Sequence, residues 1–516
     1  MAARLSAGPR ARARAAGRLL ALVAIAAAAT PASSARAETR PGDGGQIAAT
    51  LIGEPVTLDP VAARTHAELT VVGLVFDTLY RGLPDGTVEP HLAAAPPEVS
   101  DDGRVVRITL RAGVTFHDGT ALDAIDVVAS LRRLAKSDAG WLLAPVEEIG
   151  RDGATVVTLS LRAPTPELTA LLAAPQASIT PGGQAPKARA PVGSGPFRID
   201  TIDRGKRRVV LVASDDHFRG RPHLDRVELR WFAGAGDEAR WFEDGKLQLS
   251  ERGATAFAGA QPKYKADVVE GPATLLTYVG FGTAHAKITG DRDLRRALNL
   301  AIARRGLESL GAGERISVTT DPLPADLGGE PLADADRKGD LDGARAALAR
   351  AAKRVSALGT AARASLKLEI LVDQTRFDDR EVADKLVVAL DKLGLGAEIT
   401  ELPAGEFATR VARGECDLYV GQLPALGADP ALLWAAAFAA GGDAWARGQL
   451  AGGAVDVGAA RREFADRLPV LPLFHRALRV HHRTDVRGLV LDASARIGFA
   501  DLFTWGAPAR SKGRGR

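Results

Sequence analysis

The 516-residue chain has one cysteine, Cys416, and one methionine, at position 1. A single thiol excludes any disulfide within the chain. Past the first 40 residues no run of about 20 apolar residues occurs, so no membrane-spanning helix is expected in the body. What is present at the start is a different signal. Arginines at 4, 10, 12, 14 and 18 precede the apolar run Leu19–Ala29, and Ala35-Arg36-Ala37 follows. That order predicts a secretory signal peptide over residues 1–37, cleaved near Ala37. No cysteine stands near that point to carry a lipid anchor. Export therefore predicts a protein free in the periplasm.

Removing residues 1–37 takes away six arginines and no acid, so the formal charge of +4 becomes −2. Four further basic residues lie in 510–516, a tail expected to be disordered. The body then lacks the basic face that a nucleic-acid partner requires. A monomer is expected.

Along the body, strand and helix signals alternate, which argues for an α/β fold on a parallel or mixed sheet. "QIAATLIG" reads as a strand and "THAELTVVGLVFDTLY" as a helix with Leu69, Val72, Val75, Phe76 and Leu79 on one stripe. "RVVRITLR" alternates, with Val106, Ile108 and Leu110 on one face. "RRVVLVAS" and "LDRVELRWF" look like paired strands, and Tyr278–Gly282 is strand-like. "LKLEILVD", "AEITEL" and "DLYVGQ" are strands between helices. Gly245 and Gly394 end two of the helices.

The stretch "LRAGVTFHDGTALDAIDV", 110–127, concentrates His117, Asp118, Asp123 and Asp126. Asp-Gly is a turn pair. Thr120 and Asp123 have the spacing of a helix capping box, predicting a helix from about Ala121 to Lys136. His117 and Asp118 are adjacent and lack the i, i+4 spacing of paired helical metal ligands. The expectation is a turn and a cap. Ser194, in "PVGSGPF", has valine and proline where a nucleophile elbow needs glycines. His481-His482 with Asp485 lacks a second ligand cluster and reads as an exposed polar strand. No catalytic residue, metal ligand or cofactor is expected.

Several stretches carry a family resemblance. They are "TLDP", "LVFDTLY", "EPHLA" (Glu89–Ala93), "SDDG", "LRAGVTFHDG", "GSGPF" (Gly193–Phe197), "HFRGRPHLD" (His217–Asp225), "LRRALNLAIAR" and "LPVLPLF". In this order the chain resembles the extracytoplasmic solute-binding proteins of family 5, the peptide- and nickel-binding components of ATP-driven importers. The resemblance implies a two-lobed periplasmic binding protein (type II, cluster C-like) with a hinge and an inter-lobe ligand cleft. The implied division is 38–81, 194–282 and 478–509 as the core of lobe I, 82–193 as its β-rich insert, and 283–477 as lobe II. The implied function is capture of a small solute, by default a peptide, and delivery to the permease subunits of an ABC importer.

Tyr278, Gln422, Trp434, Phe474 and His475 are the expected ligand contacts, on or beside strands that should face the cleft. The alternative for the three aromatic residues is core packing. Peptide binders of the family carry "W-x-A-D-Y-x-D-P", whose first aspartate neutralises the peptide's amino terminus. The matching stretch here is "LPALGADP", Leu423–Pro430, with Leu426 in the aspartate's place. A leucine cannot offset a buried ammonium. That departure motivates one other reading, a sensor or assembly partner without transport; a second, from another class, is a secreted hydrolase acting through Ser194.

Overall fold

The computed structural model describes residues 43–311 and 313–505. The signal peptide and the basic tail expected at 1–37 and 510–516 lie outside the described residues. Among the described residues no helix is long and apolar enough to cross a membrane.

Local chemistry starts the fold. Thr65 caps the helix His66–Val75 in a capping box with Glu68. The Glu68 carboxylate also accepts the backbone N–H groups of Val56, Thr57 and Arg64. This one buried acid fastens the extended "EPVTLDP" segment across the helix N-terminus.

The main sheet has 11 strands and is mixed. Its spine is an antiparallel pair, Ala266–Phe281 and Leu471–Arg483, paired from Ala266 opposite Arg483 to Val279 opposite Leu471. At one end of this pair Leu249–Ser250, Gln46–Thr50, Arg226–Arg230, Arg208–Ala213 and Phe197–Asp203 follow in order. At the other end Leu418–Pro424 pairs with Ala266–Phe281, the parallel strands Lys367–Asp373 and Gly396–Leu402 follow, and the short Ile316–Val318 pairs with Leu471–Arg483. A separate four-stranded antiparallel sheet is built within 98–161. The expected pairing of Arg208–Ala213 with Arg226–Arg230 is present, antiparallel.

The strand Ala266–Phe281 is 16 residues long, far beyond the expected Tyr278–Gly282. Gly271-Pro272 hides it in the sequence, because proline cannot donate to a ladder. The chain absorbs the proline at a register shift between Glu270 and Ala273. The two long strands therefore run continuously between the two ends of the sheet.

Two more expectations change. The helix after "HDGT" spans Ala124–Ala135, and its capping box is Asp123 with Asp126 rather than Thr120 with Asp123. Thr120 instead donates its amide and hydroxyl to Asp118, closing the turn. His481 and His482 are buried within Leu471–Arg483, not exposed. That strand lies inside the sheet and is covered on both faces, so alternation with solvent does not apply.

Candidate functional site

The strand Leu418–Pro424 leads into the segment flagged by the sequence. Ala425 N donates to Thr274 O at 3.3 Å, anchoring the segment to the long strand. Asp429 caps the helix Pro430–Ala440, its Oδ1 accepting from Ala431 N at 2.8 Å, with Pro430 at the first helical position. Between these anchors Leu426, Gly427 and Ala428 form one wall of a cavity of about 320 Å³.

The other walls come from distant parts of the chain. Gly82–Val88 is the turn of a small hairpin. Glu167 and Thr169 stand at the short helix Leu168–Leu171. Asp492–Arg496 is a turn in which Asp492 Oδ1 accepts from Ser494 N and Arg496 N, while Arg496 pairs with Asp492 at 3.0 Å. The cavity closes tightly at one point: a Cβ on Gly86 would stand 2.8 Å from the Ala428 methyl.

Charge in this cavity is mainly acidic. Burial pushes the Glu167 carboxyl above its ordinary value, and the nearby Asp429 adds to the shift. Burial likewise raises Asp429. Glu167 Oε2 is shielded from solvent and has no hydrogen-bond partner. The Arg496 cation is already matched by Asp492, so the two remaining carboxyls favour a donor-rich or cationic group.

None of the five residues singled out in the sequence contributes to this cavity wall. Tyr278 is buried, edge-on to Tyr419 with ring centroids 6.0 Å apart, and its ring sits over Gly421. Gln422 is half-buried and opposite Thr277 in the ladder. Trp434 is 1% exposed and packs edge-to-face on Phe464 at 5.5 Å. Phe474 is equally buried, in the core beside Lys367–Asp373 and Asp379–Lys392. His475 shares a hydrogen bond with Pro322 O at 3.0 Å, and burial lowers its pKa to about 4, so it is a neutral core group. In this conformation Trp434, Phe474 and His475 pack the interior. The cavity residues were missed because they sit on turns and a four-residue helix with no local chemical signature. Only "LPALGADP" pointed to them.

The marker "HDGT" has a structural task. His117 N donates to Gly193 O, Gly193 N donates to His117 Nδ1 at 3.3 Å, and His117 Nε2 donates to Gly195 O at 2.9 Å. The ring joins the turn to "GSGPF". Both glycines there are obligatory in space: a Cβ would stand 2.0 Å from Val75 O at Gly193 and 2.6 Å from Leu74 O at Gly195. Ser194 between them is buried, and its hydroxyl donates to Asp77 Oδ2 at 2.9 Å. It presents no nucleophile to a substrate.

The sequence predicts no metal ligand. The structure nevertheless brings Asp77, His91 and His217 together, with one ligand atom from each all within 4.8 Å of one another. Each lies in a different family marker, so no local spacing announces the cluster.

Comparison with known proteins is consistent across sequence and structure. The family model for bacterial extracellular solute-binding proteins, family 5 (middle), matches residues 87–444. An oligopeptide-binding protein of Bacillus subtilis, AppA, is 25% identical over 314 residues, covering 56% of this chain and 56% of its own. The chain spans about half the length of the first curated relatives it matches. Among solved structures, the periplasmic binding protein DppA of Helicobacter pylori in complex with the peptide STSA superposes with a TM-score of 0.75 at 19% identity, covering 90% of this chain and 98% of its own. A dipeptide-binding protein of Pseudoalteromonas in complex with Met-Leu gives 0.75 at 17% identity, covering 89% and 100%. These likenesses establish the two-lobed α/β fold.

Proposed function

Because the chain belongs to the bacterial extracellular solute-binding proteins of family 5, we propose that it captures a short peptide in the periplasm and hands it to the permease of an ABC importer. The signal peptide, cleavage near Ala37 and a monomeric state belong to this proposal, as do the lobe boundaries drawn from the sequence. The observation that carries it is the cavity between Gly82–Val88, Glu167 and Leu426–Asp429. Its volume is at the low end of the few hundred Å³ usual for small-molecule sites, which favours a short ligand over a long one.

Leu426 removes the family's amine-binding acid, but Glu167 and Asp429 supply carboxyls to the same cavity. We assign them the peptide's ammonium group. Gln422, half-buried on the strand leading into the segment, is retained as a contact that an open-to-closed movement would bring to the ligand. Tyr278 buttresses that strand. The protein acts by binding and closure, with no covalent step.

Native mass spectrometry of the purified protein, then calorimetric titration with di- to tetrapeptides, tests the reading. One equivalent of a short free-amine peptide is expected. Peptide-independent behaviour, with no small molecule carried through purification, would favour a sensor or assembly partner. Hydrolysis of a peptide library, lost in Ser194→Ala, would overturn the binding-protein reading altogether.

A further inference from the structure

Two imidazoles and one carboxylate meet below the "GSGPF" loop. Asp77 follows the helix His66–Val75, His91 follows the strand Val88–Pro90, and His217 opens the turn before Arg221. The side chains of Asp77, His91 and His217 are 3%, 9% and 5% exposed. His91 Nε2 lies 2.8 Å from Asp77 Oδ1. His217 Nε2 lies 3.7 Å from Asp77 Oδ2, and Ser194 Oγ donates to that same oxygen at 2.9 Å.

The orientation of His217 is the telling feature. Its Nδ1 faces Gly220 O at 3.4 Å, a contact that a proton on Nδ1 satisfies. In that tautomer Nε2 presents its lone pair to the Asp77 carboxylate, buried and without a hydrogen-bond partner. Two acceptors facing each other at 3.7 Å repel unless a positive charge lies between them. A backbone carbonyl holding one ring nitrogen so that the other presents its lone pair is the usual support of a metal-binding histidine. Phe218 packs on both imidazoles, with centroids 5.1 Å from His91 and 4.6 Å from His217, and holds the rings in place.

We propose that Asp77, His91 and His217 form a site for one divalent transition-metal ion of the zinc class. Two imidazoles and a carboxylate are a zinc-type donor set, whereas calcium and magnesium need six or more oxygens. On binding, the cation takes the place of the His91 Nε2 proton, which moves to Nδ1, and Ser194 Oγ or a water supplies a fourth donor. The ion ties "LVFDTLY", "EPHLA" and "HFRGRPHLD" into one knot. It is a stability element and not the transported solute, since none of the three residues lines the cavity at Leu426.

The full chain, stripped with a chelator, would be titrated with Co²⁺ and then Zn²⁺. The expected result is one equivalent of cobalt with visible d–d bands that zinc bleaches, and a higher unfolding midpoint with zinc. In the double variant His91→Gln/His217→Gln the bands vanish or affinity falls at least about tenfold. X-ray absorption on the zinc-loaded natural protein, which requires no variant to fold, should show two imidazoles on the metal. No saturable cobalt band, or equal binding by the double variant, would overturn the site. So would zinc-insensitive stability that varies only with pH, because a proton on His217 would then be the missing positive charge.

Discussion

Gly86 and Ala428 meet across the mouth of the cavity, and only the absence of a side chain at Gly86 lets them. One belongs to the hairpin turn within 82–193, the other to the segment that replaces the family's amine clamp. Their approach narrows the proposed solute cavity at one point.

Gly86→Ala should therefore weaken solute binding. The added methyl would stand 2.8 Å from Ala428, and φ of +86° adds backbone strain. Closure that loses about 1.4 kcal/mol lowers affinity about tenfold. Gly113→Ala is the control, since its φ is +74° with nothing within 4 Å of the new Cβ. Calorimetry should find weak binding only in the first variant, with small-angle scattering of its solute-saturated form remaining expanded. Equal affinity in both would show that this contact does not limit closure.

His117→Ala should unfold more easily yet bind solute normally. The ring accepts from Gly193 N and donates to Gly195 O, and neither glycine lines the cavity. Losing two part-buried hydrogen bonds should cost about 1–3 kcal/mol, read as a lower urea midpoint at unchanged m-value. A loss of affinity without a loss of stability would make His117 a functional residue.

These tests also mark how far the sequence could be read. Signals within a few residues were legible: Thr65 with Glu68, the Asp118-Gly119 turn, the glycine stops at 245 and 394. Where two readings competed over short range, the local rule chose wrongly, as when Thr120 bonded to Asp118 instead of capping the helix. The strand through Gly271-Pro272 stayed hidden because its pairing is entirely long-range. Of the five expected contacts, Trp434, Phe474 and His475 pack the interior in this conformation, and an apolar pattern alone does not separate a cleft face from a core face. The cavity and the Asp77–His91–His217 cluster each assemble from remote turns, and only the folded chain brings them together.

Glu251 should make stability fall with rising pH. It is fully buried, both carboxylate oxygens lack partners, and burial with the nearby Glu238 pushes its pKa up to about 8. His66, 3.7 Å away, is lowered by burial to about 4, so between these values both are neutral and no ion pair forms. From the ordinary 4.5 to about 8 the folded state keeps a Glu251 proton that the unfolded state releases, so stability declines across that window. His66 acts oppositely between about 4 and 6.5, where the unfolded chain binds the extra proton. The two offset each other below 6.5, leaving a net decline from there to 8. Glu251→Gln should match the natural protein near pH 4 and exceed it progressively above, by on the order of 1 kcal/mol per pH unit. Parallel denaturation curves at all pH values would contradict this.

Glu167→Gln addresses the ligand itself. If Glu167 and Asp429 hold the peptide's ammonium in place of an acid at 426, removing one charge should weaken a free-amine peptide at least about tenfold. The N-acetylated peptide, which brings no ammonium, should bind both proteins alike. The sign of the pH effect follows from the raised pKa of Glu167. As pH falls, this carboxyl takes up its proton earlier than an exposed glutamate would, and the attraction for the ammonium is lost there. Affinity for the free-amine peptide should thus decline on acidification before ordinary glutamates titrate, and the decline should be shallower in Glu167→Gln. Leu426→Asp should not substitute for Glu167, because burial and the like charge of Asp429 beside it would favour the protonated form of the new carboxyl. A full recovery of binding in Glu167→Gln/Leu426→Asp would instead show that the family's clamp position still governs the site.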